Sequence, residues 1–282
     1  MNSFGEHLTC PLCGKALTYI DAERLCRCGA GHGFDRARQG YVNLLPSHHK
    51  KSRDPGDSKE MMAARRAFLA GGHYEPVSDR LNRLLGETLA AAGPCVLDIG
   101  CGEGYYAGRL LAALGADARL WGLDISRDAV RAAAAVCKTC TWLVCSSSRI
   151  PLRSGVFDGI YSVFSPIDEG EVARLLKPEG VFIRVLPGPE HLMSLRRLIY
   201  PEVVRGPEPE PRRDGPLPCA DIQTLTYEMT LDGAEAETLI RMTPHYWKTT
   251  KAHKTVLAEL QAVPVTVDMR FLIYKQRSVE DQ

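Results

Sequence analysis

Apolar and polar positions along this chain fall into two regimes, and the longer one begins near residue 94. From there short apolar runs take turns with amphipathic stretches: Val96-Leu97-Asp98-Ile99, Leu120 to Asp124, Trp142 to Cys145, Phe157 to Phe164 and Val181 to Leu186. Runs of this length, bounded by Gly, Pro or Ser, read as buried strands. Between them Tyr105 to Leu114, Arg127 to Val136 and Glu169 to Leu176 carry helical spacing, the last stopping at Lys177-Pro178-Glu179-Gly180. Further on, the pattern predicts a strand over Gln223 to Leu231, helices over Asp232 to Met242 and Lys251 to Ala262, and a strand over Val265 to Tyr274. That last strand alternates enough to pair antiparallel at a sheet edge. Strand and helix in alternation predict an α/β fold, a doubly wound and mostly parallel sheet of seven strands. The proline-rich Arg205 to Pro218 reads as a mobile or extended connection.

Ahead of this core the pattern predicts two helices. One runs from Ser58 to about Ala70, with Asp57 and Glu60 as its N-cap pair, and stops at Gly71-Gly72; the second runs from about Glu75 to Ala92. Phe34 to Pro46 reads as a turn and a short strand. His48-His49-Lys50-Lys51-Ser52-Arg53-Asp54-Pro55-Gly56-Asp57 has linker chemistry, a basic run before a turn, which serves either as a solvated loop or as a phosphate contact.

The first residues follow a different logic. Cys10-Pro11-Leu12-Cys13 opens a knuckle that Cys28-Gly29-Ala30-Gly31-His32 can close, a Cys3His zinc spacing. Zinc needs four soft or borderline donors at tetrahedral positions, and short loops with Gly and Pro can supply them. So small a segment has little core of its own, so metal would be its main source of order. Cys26 competes for the third position; Cys28 is favoured because its separation from His32 suits one turn. Cys137 and Cys140 repeat the C-x2-C spacing with no second pair near, and read as incidental thiols. The chain thus divides into a zinc-binding domain (1–45), a basic linker with helices (46–93) and an α/β core (94–282).

Composition narrows the classes. The 282 residues are 45% hydrophobic and 24% charged, an ordinary globular balance, and ten cysteines in a reducing compartment suggest thiols or metal ligands before disulfides. No apolar run approaches a membrane span and the polar start is unlike a signal peptide, so a cytoplasmic protein is expected. Net charge is only +1, so any nucleic acid must be met by local basic patches.

Chemistry concentrates in Asp98-Ile99-Gly100-Cys101-Gly102-Glu103-Gly104. A strand meeting a helix through glycines lets a ligand approach bare backbone at the helix N-terminus. A second strand ends in Asp124, where ribose hydroxyls are held in such folds, and Ser146-Ser147-Ser148 offers a polar tip to an adenine edge. G-x-G-x-G joined to Asp98 and Asp124 resembles the S-adenosylmethionine (SAM) site of Rossmann-like class I methyltransferases.

Longer motifs carry a more specific resemblance. The Cys-Pro-Leu-Cys knuckle, Gln39-Gly40-Tyr41-Val42-Asn43-Leu44-Leu45, Arg53-Asp54-Pro55-Gly56-Asp57-Ser58, Ala64 to Leu69, Gly72-His73-Tyr74 and Leu97 to Tyr106 occur together, in order, across nearly the whole chain. In this the chain resembles the 23S rRNA guanine-N1 methyltransferases. The resemblance implies zinc at Cys10, Cys13, Cys28 and His32, and SAM contacts from Tyr74, Gly102, Glu103 and His191. It implies a guanine in a 23S rRNA hairpin of the large ribosomal subunit as substrate, and a homodimer. Asp98, Gly100, Gly104 and Asp124 join the cofactor set from the strand ends. Cys26 and Ser162-Val163-Phe164-Ser165-Pro166, in place of Tyr-Ala-Pro, depart from the family pattern.

Guanine N1 is a Watson–Crick donor, so its base must be unpaired or flipped before a methyl group can reach it. The transfer is a displacement governed by positioning, with loss of the N1 proton. Asp54, Asp57 and Ser165 are candidate proton acceptors, none singled out by sequence. Arg65, Arg66, Arg196 and Arg197 join the basic linker as candidate phosphate contacts. Two rivals share parts of the pattern: a small-molecule methyltransferase would share the core but have no use for a basic linker behind a zinc knuckle, and an RNA-binding module without activity would not need Asp98, the glycines and Asp124 together.

Overall fold

The structure, a computed structural model, describes residues 5–46, 56–89, 92–200, 202–212 and 215–276. The basic run from His48 to Arg53, and Asp54, lie outside the described residues. The described chain begins with an antiparallel sheet of three short strands, β1 (Leu17–Ile20), β2 (Leu25–Cys28) and β3 (Gly33–Asp35). A two-residue strand, β4 (Val42–Asn43), follows. Helices α1 (Lys59–Ala70) and α2 (Glu75–Thr88) lead to the core: β5 (Cys95–Ile99), α3 (Tyr105–Leu114), β6 (Arg119–Asp124), α4 (Arg127–Val136), β7 (Thr141–Val144), β8 (Phe157–Val163), α5 (Glu169–Leu175) and β9 (Leu176–Pro187). The end of the chain adds α6 (Met193–Ile199), β10 (Cys219–Leu231), α7 (Gly233–Arg241), α8 (Lys251–Glu259) and β11 (Val263–Lys275).

Seven of these strands form the expected sheet. They run in the order β10-β11-β9-β8-β5-β6-β7, and β4 adds an eighth beyond β7. β4 through β9 pair in parallel, whereas β11 is antiparallel to both β9 and β10. The expectation that Val265 to Tyr274 lies at the edge is therefore corrected. β11 is flanked on both sides, and β10 is outermost because its 13 residues pair along the length of β11. Alternation in β10 agrees, with exposed Thr224, Thr226 and Glu228 taking turns with the half-buried Leu225 and Tyr227 and the buried Met229.

Strand alternation sends side chains to two separate cores. Val96, Leu120, Trp142, Val144, Ile183 and Val267 face the helices, in a cluster that takes in residues from α1, α2, α3, α4, α6, α7 and α8. The opposite face, with Leu97, Ile99, Trp121, Leu143 and Phe182, is covered by α5 and by the N-terminal segment, whose Leu8, Leu17, Cys26, Val42 and Leu44 belong to the same cluster. Leu8 bridges to Leu152, and Thr9 N–H donates to the Pro151 carbonyl at 2.9 Å. A plain doubly wound sheet would carry helices on both faces; here the N-terminal unit occupies much of one of them.

Local chemistry sets the helix starts. α1 is capped by Ser58, whose hydroxyl accepts from Met61 N–H at 3.2 Å, and not by Asp57, which instead pairs with Arg65. α2 ends at Thr88 and not near Ala92. Between residues 202 and 218 the described chain forms neither helix nor strand, and is tied down by Arg270 to Glu208 and by Arg205 to Glu190. No described helix is long and apolar enough to cross a membrane.

Candidate functional site

Two glycines shape the N-terminal unit. Gly14 (φ +71°) lets the chain fold back so that its N–H donates to the Cys10 carbonyl at 2.8 Å, and Gly31 (φ +87°) does the same at the Cys28 carbonyl at 2.9 Å. Each turn aims its donors at a common point. Cys28 Sγ lies 3.4 Å from His32 Nδ1, Cys10 Sγ lies 3.5 Å from the same nitrogen, and Cys13 Sγ lies 3.6 Å from Cys28 Sγ. All four donor atoms fall within 4.8 Å of one another. Bonds of ~2.0–2.3 Å to a tetrahedral zinc set donors ~3.5–3.8 Å apart, so these residues fit the ion. Cys26 stays outside the group. Two residues along a strand displace a side chain by ~7 Å, and its sulfur is sunk in the second core, where burial pushes its thiol up to about 11.

The second site lies at the carboxyl ends of β5, β6 and β8. Gly100, Gly102 and Gly104 all take left-handed φ angles, +79°, +52° and +81°. The first and third are also hemmed in: a Cβ on Gly100 would meet the Ser165 side chain, and one on Gly104 would come within 2.8 Å of Trp142. Gly102 differs, since nothing lies within 4 Å of where its Cβ would stand. The loop is thus anchored at both ends and open in the middle, a cradle of backbone at the start of α3 that suits close ligand approach.

The two strand-end acids do different work. Asp124 Oδ2 accepts from Gly102 N–H at 3.0 Å and Oδ1 from Ser126 N–H at 2.8 Å, so it holds the cradle in shape while keeping lone pairs for a ligand hydroxyl. Burial raises its pKa, and those two bonds oppose the rise. Asp98 is 2% exposed beneath the loop; burial pushes it up to about 8, against the Tyr161 hydroxyl, which donates to it at 3.0 Å, and with the nearby charge of Asp124. Glu103 pairs with Arg66 of α1. Arg65 pairs with Asp57. A Cβ on Gly56 would meet Ser126 at 2.8 Å, so the segment entering α1 lies directly against the end of β6. Helix α1 and the segment entering it therefore lie beside the glycine cradle, a placement that no sequence pattern announced.

Tyr74 and His191 come together although 117 positions separate them, with Tyr74 Oη 3.4 Å from His191 Nε2. Asp268 N–H donates to His191 Nδ1 at 3.3 Å, which puts the ring proton on Nε2 and makes it the donor to Tyr74. Burial lowers His191 to about 4, opposed by the charge of Asp268, so the ring is neutral near pH 7. Phe164 joins them. Its ring centroid is 6.3 Å from Tyr74 and 6.1 Å from His191, and it holds a left-handed φ of +57°, a conformation that costs a non-glycine residue ~1–2 kcal/mol. Ser146 and Ser148 hydroxyls meet at 2.9 Å at the tip after β7. The Ser165 side chain sits against Gly100, and Asp57 pairs with Arg65. Cys137 and Cys140 belong to no larger donor group among the described residues.

Known proteins match both sites. Residues 8–53 match a zinc-ribbon family described as “RlmA, N-terminal”, and residues 96–180 match a methyltransferase domain family. A Micromonospora griseorubida protein named “Putative 23S rRNA (guanine-N(1)-)-methyltransferase” is 34% identical over 97% of this chain and 98% of its own length. A Bacillus subtilis protein of corresponding name is 31% identical over 94% of this chain and 95% of its own. The “23S rRNA (guanine(748)-N(1))-methyltransferase” of Streptomyces fradiae is 38% identical over 67% of this chain and 66% of its own.

Proposed function

The chain belongs to the family of 23S rRNA guanine-N1 methyltransferases, and from that premise we propose that it methylates N1 of one guanine in a hairpin loop of 23S rRNA in the large ribosomal subunit. The observation that carries this reading is the likeness to such relatives along nearly the whole length, ribbon and core alike.

SAM supplies the methyl group. Gly100, Gly102 and Gly104 would receive it on bare backbone, with Asp98 beneath, Asp124 facing the ribose, and Glu103 and Tyr74 at its flanks. Cys10, Cys13, Cys28 and His32 hold one structural zinc. His191 acts on this site through its donated bond to the Tyr74 hydroxyl, which leaves the tyrosine proton free to turn toward a ligand. Domain roles follow the same division: residues 1–45 bind zinc and orient RNA, 46–93 form a basic linker and the helices preceding the core, and 94–282 carry the transfer. The basic stretch from His48 to Arg53 contacts hairpin phosphates, and two copies of the chain form the working homodimer in the cytoplasm.

The test uses 23S rRNA lacking the modification, labelled SAM and purified enzyme. Label should enter the RNA and not a small-molecule panel. N1 methylation abolishes Watson–Crick pairing, so reverse transcriptase should stop at a single hairpin guanine. Label in rRNA without such a stop would exclude N1 as the target; no label in rRNA would exclude the substrate.

A further inference from the structure

The carboxyl end of β8 carries a side chain that neither zinc nor cofactor binding explains. Phe164 is 42% exposed, an open aromatic ring directly following a strand whose other apolar residues are buried. Its backbone is fixed in a left-handed turn: its N–H donates to the Val185 carbonyl at 3.1 Å, and the Ser162 hydroxyl donates to the Ser165 carbonyl at 3.4 Å. Glycine would adopt that conformation freely. A phenyl group there carries backbone strain and solvent exposure together, and such strain persists where a site requires it.

The surroundings say what the ring can bind. His191 lies roughly parallel to it, with planes 25° apart, and Tyr74 leans against it at 52°. Tyr74 is buried and His191 half-buried, so Phe164 is braced from within and open outward. The side chain of the next residue, Ser165, packs on Gly100, so Phe164 stands one residue from the contact with the glycine cradle. A rigid, braced ring of this kind offers a flat apolar face to a flat partner.

We propose that Phe164 is the platform on which the target guanine stacks once it leaves its hairpin, an inference that rests on the substrate reading given above. An extruded base loses its neighbours in the RNA, and an aromatic side chain replaces that stacking. Stacking fixes the plane of the base and leaves its edge, N1 included, directed across the ring toward the cradle. No covalent step is involved; Phe164 positions the base and discriminates a flat purine from other nucleophiles.

The experiment compares wild-type, Phe164→Ala, Phe164→Tyr and Phe164→Gly forms of the full-length zinc-loaded enzyme, with a 23S rRNA hairpin transcript and labelled SAM. Phe164→Ala should lower kcat/KM for RNA by roughly ten- to a hundredfold, the range of one lost base stack. SAM affinity by calorimetry should stay within about twofold, since the ring serves the base and not the cofactor. Phe164→Tyr keeps the aromatic face and should restore activity. Phe164→Gly relieves the backbone, so it should melt no lower than Phe164→Ala yet be equally impaired. An active wild type with an indifferent Phe164→Ala would overturn the proposal alone. An equal loss of SAM affinity in Phe164→Ala would also overturn it, by giving the ring to the cofactor. A wild type that transfers nothing to rRNA would sink this proposal together with the substrate reading.

Discussion

The N-terminal ribbon and the methyltransferase core spend their cysteines differently. In the ribbon Cys10, Cys13 and Cys28 converge with His32 on one point, and short glycine turns exist to bring them there. In the core Cys95, Cys101 and Cys145 are packed as small apolar groups, with burial raising each thiol. Cys26 lies in the ribbon yet follows the rule of the core, because its side chain is fully buried and stands outside the four-donor group. Residue type is the same throughout; what separates a ligand from a filler is whether loop geometry brings further donors within ~4 Å.

The largest effect should come from breaking that geometry. Cys28→Ser should remove the bound zinc, near-equimolar in wild type by elemental analysis, and Cys26→Ser should keep it. Structural zinc sites of this type contribute ~10–16 kcal/mol of apparent binding energy, more than so small a unit gains from burial. If Cys26→Ser loses the metal and Cys28→Ser retains it, the division drawn between the two cysteines is wrong.

The core should respond to crowding instead. Gly104→Ala forces a methyl group against Trp142 and Ala133 in a left-handed backbone, and should cost ~2–4 kcal/mol in denaturant unfolding. Gly102→Ala meets no atom, so only ~1–2 kcal/mol of backbone strain applies, while SAM affinity falls because the open middle of the cradle is filled. Equal losses of stability in the two variants would refute the distinction between anchored and open glycines.

The last effect is spread over a range of pH. Asp98 has a folded pKa near 8, above the ~3.9 of an unfolded aspartate. Its contribution to stability is therefore complete below about pH 4 and is lost as pH rises through 8. Each unit in that window costs at most ~1.4 kcal/mol. Asp98→Asn removes the titration, so the melting temperature of wild type should decline more steeply than that of Asp98→Asn between about pH 5 and 8. Parallel profiles would show that the carboxyl is ionised in the fold at neutral pH.

Much of this was legible in the sequence because it is periodic or punctuated. Tyr105–Leu114 and Arg127–Val136 appear as helices with the bounds that their apolar spacing gave, and the core strands fall within a few residues of their runs. What escaped was short or long-range. The short strand read between Phe34 and Pro46 is present as Val42–Asn43, but two residues are too few for alternation to show that it joins β7 as an eighth strand. The seven residues of α6 carry less than two turns of pattern. Ser58 and Asp57 are both good caps, and only the Arg65 partner decides which one is used. The Tyr74–His191–Asp268 chain and the Arg66–Glu103 pair join distant positions that no local signal connects.

One feature of the fold links metal supply to the behaviour of the protein in solution. β4 pairs with the outer side of β7, Val42 opposite Leu143 and Asn43 opposite Val144, and Leu44 N–H donates to the Val144 carbonyl at 2.8 Å. The ribbon thereby caps a parallel strand whose sequence, Thr141-Trp142-Leu143-Val144, is apolar and rich in β-formers. Were the ribbon to unravel for want of zinc, that strand would present a bare row of amide and carbonyl groups, a template for self-association. Loss of zinc should therefore show itself as concentration-dependent self-association of the metal-free chain.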